Sequence, residues 1–249
     1  MTPLEALILG CVQGLTEFLP VSSSGHLLFA SRLFGLQEGF IDFAVAAHLG
    51  SLAAVLLFVR SDVAAMLRQL QIKAVLRLVI ATVPAAVVGI LFKEALIPRS
   101  GWQLALAFLG SALFCGFMAR GGEGRWRQMG AANLLFVGAF QATALVPGVS
   151  RSGATVWAAL AARLSRQQAL SFSFLLAAIA IGGATLLRAK HIAANFCNQP
   201  LPSVVLVASS FAFSLSALTL LKRLVLRSRL WIFAPYLAVL AVLSALLLK

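Results

Sequence analysis

The chain has 249 residues, 61% of them hydrophobic and only 11% charged, and its mean hydropathy is +0.99. A soluble domain averages about 45–50% apolar and about 25% charged residues, so an ordinary water-soluble fold is excluded. The net charge of +13 does not point to nucleic acid either, because the basic residues punctuate the ends of apolar runs and are not interleaved with aromatics.

The N-terminal run MTPLEALILG lacks a basic leader and its apolar stretch passes directly into a polar cluster, so a cleaved signal peptide is not expected. Residues 4–34 are apolar but broken at PVSSSG. Three uninterrupted stretches follow, 41–59, 75–94 and 102–119. Residues 131–165 are again apolar but broken, at PGVSRSG, and three more stretches follow at 168–187, 203–221 and 230–248. The six unbroken stretches are long enough to cross about 30 Å of hydrocarbon as helices. Pro, Gly and Ser inside an apolar run end one half-helix and start another. Open backbone at membrane depth persists only where protein buries it or a wet cavity receives it. The two broken regions are therefore predicted to be re-entrant helical hairpins. Cys11, Cys115 and Cys197 lie far apart and have no metal-binding spacing.

Residues 10–30, GCVQGLTEFLPVSSSGHLLFA, align without a gap on residues 138–158, GAFQATALVPGVSRSGATVWA, at an offset of 128 with seven of 21 positions identical. The shared VSxSG, with Gln and Gly in register, predicts an internal repeat with halves 1–125 and 126–249 in a single integral membrane domain. Each half holds one hairpin and three spans; three is odd, so the second half is inserted upside down, as in many transporters. If 41–59 exits to one face, that face carries thirteen Lys and Arg against six on the other. The richer face is then cytoplasmic and both termini lie outside. The expected fold is an all-α polytopic membrane protein: six transmembrane helices plus two re-entrant helical hairpins in an inverted-topology repeat.

Of the seven acidic residues only Glu17 sits deep in an apolar hairpin. A buried carboxylate is costly unless paired. Gln13, four residues earlier, shares its helical face. Arg151 is the one basic residue at a tip, and a Glu17–Arg151 pair could be a plain buried lock. Ser22, Ser23, Ser24 and Gly25 precede one half-helix, and Ser150, Ser152 and Gly153 precede the other. One such serine would be read as an N-cap. Two such helix starts aimed at one volume make an anion site, and Arg151 adds a guanidinium suited to phosphate. His26, just past the serines, is a candidate acid–base group with Glu17. His48, in AAHLGS, could line the cavity; His191, beside Lys190, reads as a solvated loop residue. The halves differ usefully, since Glu17, Ser23 and His26 align with Leu145, Arg151 and Ala154.

On Q13GLTEFLPVSSSGH26 and P147GVSRSGAT155, supported by F43AVAAHLGSLAAV55, V83PAAVVGILF92 and S171FSFLLA177, the whole chain resembles the undecaprenyl-diphosphatase, or bacitracin-resistance protein, family. The resemblance implies a bacterial inner-membrane enzyme that hydrolyses undecaprenyl diphosphate to undecaprenyl phosphate and phosphate. That reaction recycles the lipid carrier of peptidoglycan synthesis. It also implies a homodimer, a divalent cation (Mg²⁺ or Ca²⁺) and a site open to the periplasm. By motif position the catalytic set is Glu17, His26, Ser23 and Arg151. Substrate contacts fall on Gln13, Ser22, Ser24, Gly25, Gly148, Ser150, Ser152 and Thr155. Gln13 takes the variable Glu/Gln position, leaving Glu17 as the one carboxylate for a metal; His48, Ser171 and Ile179 also depart from the common pattern. Glu17 and His26 would activate either Ser23 or a water, water being the preferred attacker. A lipid-phosphate flippase or transporter is the rival from another class: carriage needs only the Arg151 cradle, hydrolysis needs the acid–base groups. An ion channel or scaffold leaves the doubled tips unexplained.

Overall fold

The first helix, α1 (Pro3–Phe18), starts at a capping box: the Thr2 hydroxyl accepts from the Glu5 amide, the Glu5 carboxylate accepts from the Thr2 amide, and Pro3 presets the first turn. It stops at Leu19, whose extended backbone is what a following proline imposes. This computed structural model describes residues 1–34, 38–92 and 95–248, and the side chains of all of these except 31, 33, 34 and 38–45.

Eleven further α-helices follow among the described residues: α2 (Ser23–Phe34), α3 (Glu38–Phe58), α4 (Arg60–Arg68), α5 (Ile72–Phe92), α6 (Gly101–Gly116), α7 (Ala131–Thr143), α8 (Arg151–Ala161), α9 (Arg166–Leu187), α10 (Ala189–Asn198), α11 (Pro200–Leu226) and α12 (Phe233–Leu247). No strand occurs among them beyond a single bridge between Gly124 and Leu164. The molecule is all-helical, and among the described residues four helices are long and apolar enough to cross a membrane: Ile72–Phe92, Arg166–Leu187, Pro200–Leu226 and Leu230–Leu247. A fifth is reached if Ala46–Phe58 and Arg60–Arg68, bent by 65°, count as one span. Ile90, Leu113, Val239 and Leu246 are among many large apolar side chains left exposed, as lipid contact requires and water does not. Together these features describe a multi-pass membrane protein.

Two expectations need correction. The stretch 102–119 is helical only over Gly101–Gly116, 16 residues, because the chain leaves the helix at Phe117 and runs into the glycine-rich ARGGEG segment. At about 1.5 Å per residue that helix falls short of a full hydrocarbon crossing. His191 lies not in a loop but in α10, although it is exposed as expected. Lys93, Glu94 and Lys249, used in reading spans and charge, lie outside the described residues, as do the side chains of Glu38 and Asp42.

The packing that positions the tips is reciprocal. α1 lies along α11, while α7 lies along α5; α6 pairs with α12 and α3 with α11. Gly10 and Gly138, aligned in the repeat, occupy these two contacts. A Cβ at Gly10 would sit 2.5 Å from the Leu206 carbonyl oxygen, and one at Gly138 2.5 Å from that of Ala81. The absent side chains let each hairpin arm approach its neighbour's backbone.

Candidate active site

Both tips are built by the same local chemistry. After Pro20 the chain turns at Ser22, with φ +68°, and the Ser22 hydroxyl accepts from the Gly25 amide at 3.3 Å, capping α2. At the second tip Gly148 turns the chain at φ +104°, and the Ser150 hydroxyl accepts from the Gly153 amide at 3.2 Å, capping α8. The tips touch. The Ser22 hydroxyl also accepts from the Gly148 amide at 3.1 Å, and a Cβ on Gly25 would lie 2.7 Å from Gly148 Cα. Buried Ser111 of α6 fastens the second tip by accepting from the Ser150 amide and donating to the Gly148 carbonyl, both at 2.7 Å.

This contact brings the two unlike corners together. Arg151 Nη2 donates to Glu17 Oε1 at 2.5 Å, and Nη1 donates to the Ala177 carbonyl of α9 at 3.3 Å. The other carboxylate oxygen of Glu17 accepts from the Ser23 hydroxyl at 2.7 Å and from Gln13 Nε2 at 2.9 Å. His48 Nε2 stands 3.6 Å from that oxygen and 3.3 Å from Gln13 Nε2. Glu17 is 9% exposed and Gln13 fully buried. The carboxylate is thus held by a guanidinium, a hydroxyl and an amide, which offsets the cost of its burial.

The structure separates His26 from this group. Its Nδ1 lies 2.7 Å from the Ser22 carbonyl and its Nε2 2.6 Å from the Tyr236 hydroxyl of α12. Glu17 is thus bonded to Ser23 and approached by His48, while His26, the other expected acid–base group, has different partners. The reason is the helical turn: Ser23 begins α2 facing α1, while His26 leans towards Phe108 of α6 and Tyr236.

The remaining expected contacts divide. Ser24 is exposed and touches Ser22 Oγ at 3.4 Å. Ser152 is buried and paired with Ser150 at 3.1 Å. Thr155 donates to the Arg151 carbonyl at 2.8 Å and contacts Ser173 of α9 at 2.6 Å. Sequence reasoning missed Ser111, Ser173 and Tyr236. Ser111 and Tyr236 are single polar residues in apolar runs, Tyr236 marked only as the sole tyrosine, while Ser173 lies in the S171FSFLLA177 stretch with no role assigned to it.

In the substrate-free arrangement these side chains alone do not make a site for the implied divalent cation. Among the described residues no three His, Cys, Asp or Glu groups converge. Glu17 already accepts from Arg151, Ser23 and Gln13, all donors, so an ion at its oxygens would have to displace a guanidinium. The one buried oxygen nearby without a partner is Gln13 Oε1, a neutral and single ligand.

Against known proteins, residues 6–243 match the family described as Bacitracin resistance protein BacA. Undecaprenyl-diphosphatase 3 of Bacillus cereus is 40% identical over 193 residues, 76% of this chain and 74% of that protein. Undecaprenyl-diphosphatase 4 of Bacillus thuringiensis is 36% identical over 245 residues, 95% and 93% of the two chains. The undecaprenyl-diphosphatase of Desulfosudis oleivorans is 34% identical over 261 residues, 95% of each chain.

Proposed function

The chain belongs to the bacitracin resistance protein family, and from that we infer that it is an undecaprenyl-diphosphatase, a membrane phosphatase that releases phosphate from undecaprenyl diphosphate. The observation that carries the residue-level reading is the meeting of Glu17, Ser23 and Arg151 where the two tips touch.

In the resting site Arg151 is engaged by Glu17. An arriving diphosphate competes for the guanidinium, which holds phosphate oxygens more strongly as charge spreads over them in the transition state. Glu17, released from Arg151, is then a free base bonded to the Ser23 hydroxyl at 2.7 Å. Nucleophile and base within hydrogen-bond reach support Ser23, rather than the water favoured by sequence, as the attacker. Its oxygen forms a bond to the terminal phosphorus as the bridging P–O bond breaks, and the Ser23 proton passes to Glu17 and on to the departing lipid phosphate. Water then attacks the phosphoserine, giving one proton back to Ser23 through Glu17, and inorganic phosphate leaves.

The reading includes a finer topology. α1–α2 and α7–α8 are the two re-entrant hairpins, and α3, α5, α9, α11 and α12 are full spans of two oppositely inserted halves, about 1–125 and 126–249, with α6 a shorter sixth membrane segment. The helix order supports it, since α1–α6 and α7–α12 follow the 128-residue offset closely. The asymmetry of basic residues supports a periplasmic opening in the bacterial inner membrane. A homodimer belongs to the same reading and is checked by light scattering in detergent.

The deciding experiment is phosphate release from undecaprenyl diphosphate by purified protein in detergent, with no membrane and no gradient. Hydrolysis proceeds there; a flippase acting only by carriage releases nothing.

A further inference from the structure

His26 is the one reactive group of the tips held outside the Glu17 cluster, and three neighbours fix it. A carbonyl can only accept, so the His26 Nδ1 that lies 2.7 Å from the Ser22 carbonyl carries a hydrogen. In the neutral ring Nε2 is then the acceptor, and the Tyr236 hydroxyl, 2.6 Å away, donates to it. The two rings are stacked, with centroids 5.7 Å apart and planes 15° from parallel, while Phe108 meets the imidazole edge-on at 5.9 Å.

Tyr236 is the only tyrosine in the chain and sits in the apolar helix α12, 46% exposed. Phenylalanine would stack equally well there; only the hydroxyl can reach Nε2. A hydroxyl also both donates and accepts, so the contact survives if the imidazole gains a proton, by turning from donor to acceptor. Ordinary packing in a membrane helix asks for none of this. We propose that Tyr236 is a positioning residue for His26: it fixes the tautomer and orientation of the imidazole at the mouth of the site. The inference rests on the motif-based expectation that His26 belongs to the catalytic set, beside the Glu17–Ser23–Arg151 chemistry proposed above.

The test pairs kinetics with spectroscopy on the full-length protein in detergent. In the wild type, side-chain ¹⁵N shifts of the three histidines should give His26 in the Nδ1–H form. Tyr236→Phe should lower kcat for undecaprenyl diphosphate about tenfold or more with KM within about twofold, as loss of a supporting hydrogen bond does. It should also move the His26 nitrogen signals while those of His191 hold. A purely structural phenol would lower the melting temperature and leave kcat in the folded fraction unchanged. An Nε2–H tautomer in the wild type, or kcat within about twofold in the folded variant, would overturn the proposal. If the wild type itself releases no phosphate, the enzymatic reading fails instead, and the nitrogen shifts alone decide whether Tyr236 holds His26.

Discussion

The two tips share a serine cap yet differ in where the chain turns and in what they deliver. In the aligned frame Phe18, the last residue of α1, corresponds to Val146, but α7 stops at Thr143, three residues earlier. Pro147 stands one aligned position before Pro20, and the chain before it descends through short turn bonds from Leu145 to Ala142 and from Val146 to Thr143. The longer first arm carries Glu17 on its last turn into the protein, 9% exposed, whereas Leu145 at the equivalent position is 39% exposed. The first arm is longer by nearly one helical turn, of which the one-position shift of the proline accounts for one residue. The other hairpin supplies the cation from the first residue of α8. The comparison teaches that a duplicated scaffold can be kept while its two reactive corners specialise.

The comparison sharpens most at the cation. Arg151→Lys keeps the charge but loses the planar fork, and kcat should fall about a hundredfold or more in the phosphate-release assay. A loss under about threefold would mean that the second tip contributes charge alone.

The scaffold is tested at the turn that differs. Gly148 has φ +104°, and a Cβ there would lie 2.6 Å from Ala107 Cβ. Gly148→Ala should destabilise the protein by about 2–4 kcal/mol, read as a lower melting temperature in detergent. An unchanged melting temperature would show that the tip–tip contact is looser than described. Ser111→Ala removes the hydroxyl bridging Ser150 and Gly148 and should cost about 1–3 kcal/mol, with activity reduced in parallel.

The smallest effect concerns metal. Because donors surround Glu17, Mn²⁺ added to substrate-free protein should keep the paramagnetic resonance spectrum of the aqueous ion. Gln13→Glu adds a second carboxylate on the same helical face and should create detectable Mn²⁺ binding. Tight Mn²⁺ binding by the wild type would show that Arg151 yields to a metal.

The tips were legible because proline, glycine and serine interrupt apolar helices only at a cost, and because Glu17 and Arg151 are charges where charge is expensive. Periodicity places Gln13 and Glu17 on one face, and the structure joins them at 2.9 Å. The side to which His26 turns was not legible, since its partner Tyr236 lies 210 residues away. Nor were Ser111 and Ser173, because a lone serine in a membrane helix usually bonds its own backbone. The end of α6 at Gly116 was missed for a related reason: hydropathy continues through Phe117 and Met118 after the helix has stopped.

Glu17 and Arg151 either act on phosphate or merely lock the tips together, and the double variant Glu17→Gln/Arg151→Gln separates the two. It replaces a buried ion pair by neutral partners, so folding survives better than in either single variant. Phosphate release from undecaprenyl diphosphate by the folded double variant should drop about a thousandfold or more below wild type. Release within about tenfold of wild type would reduce the pair to a structural lock and contradict the account.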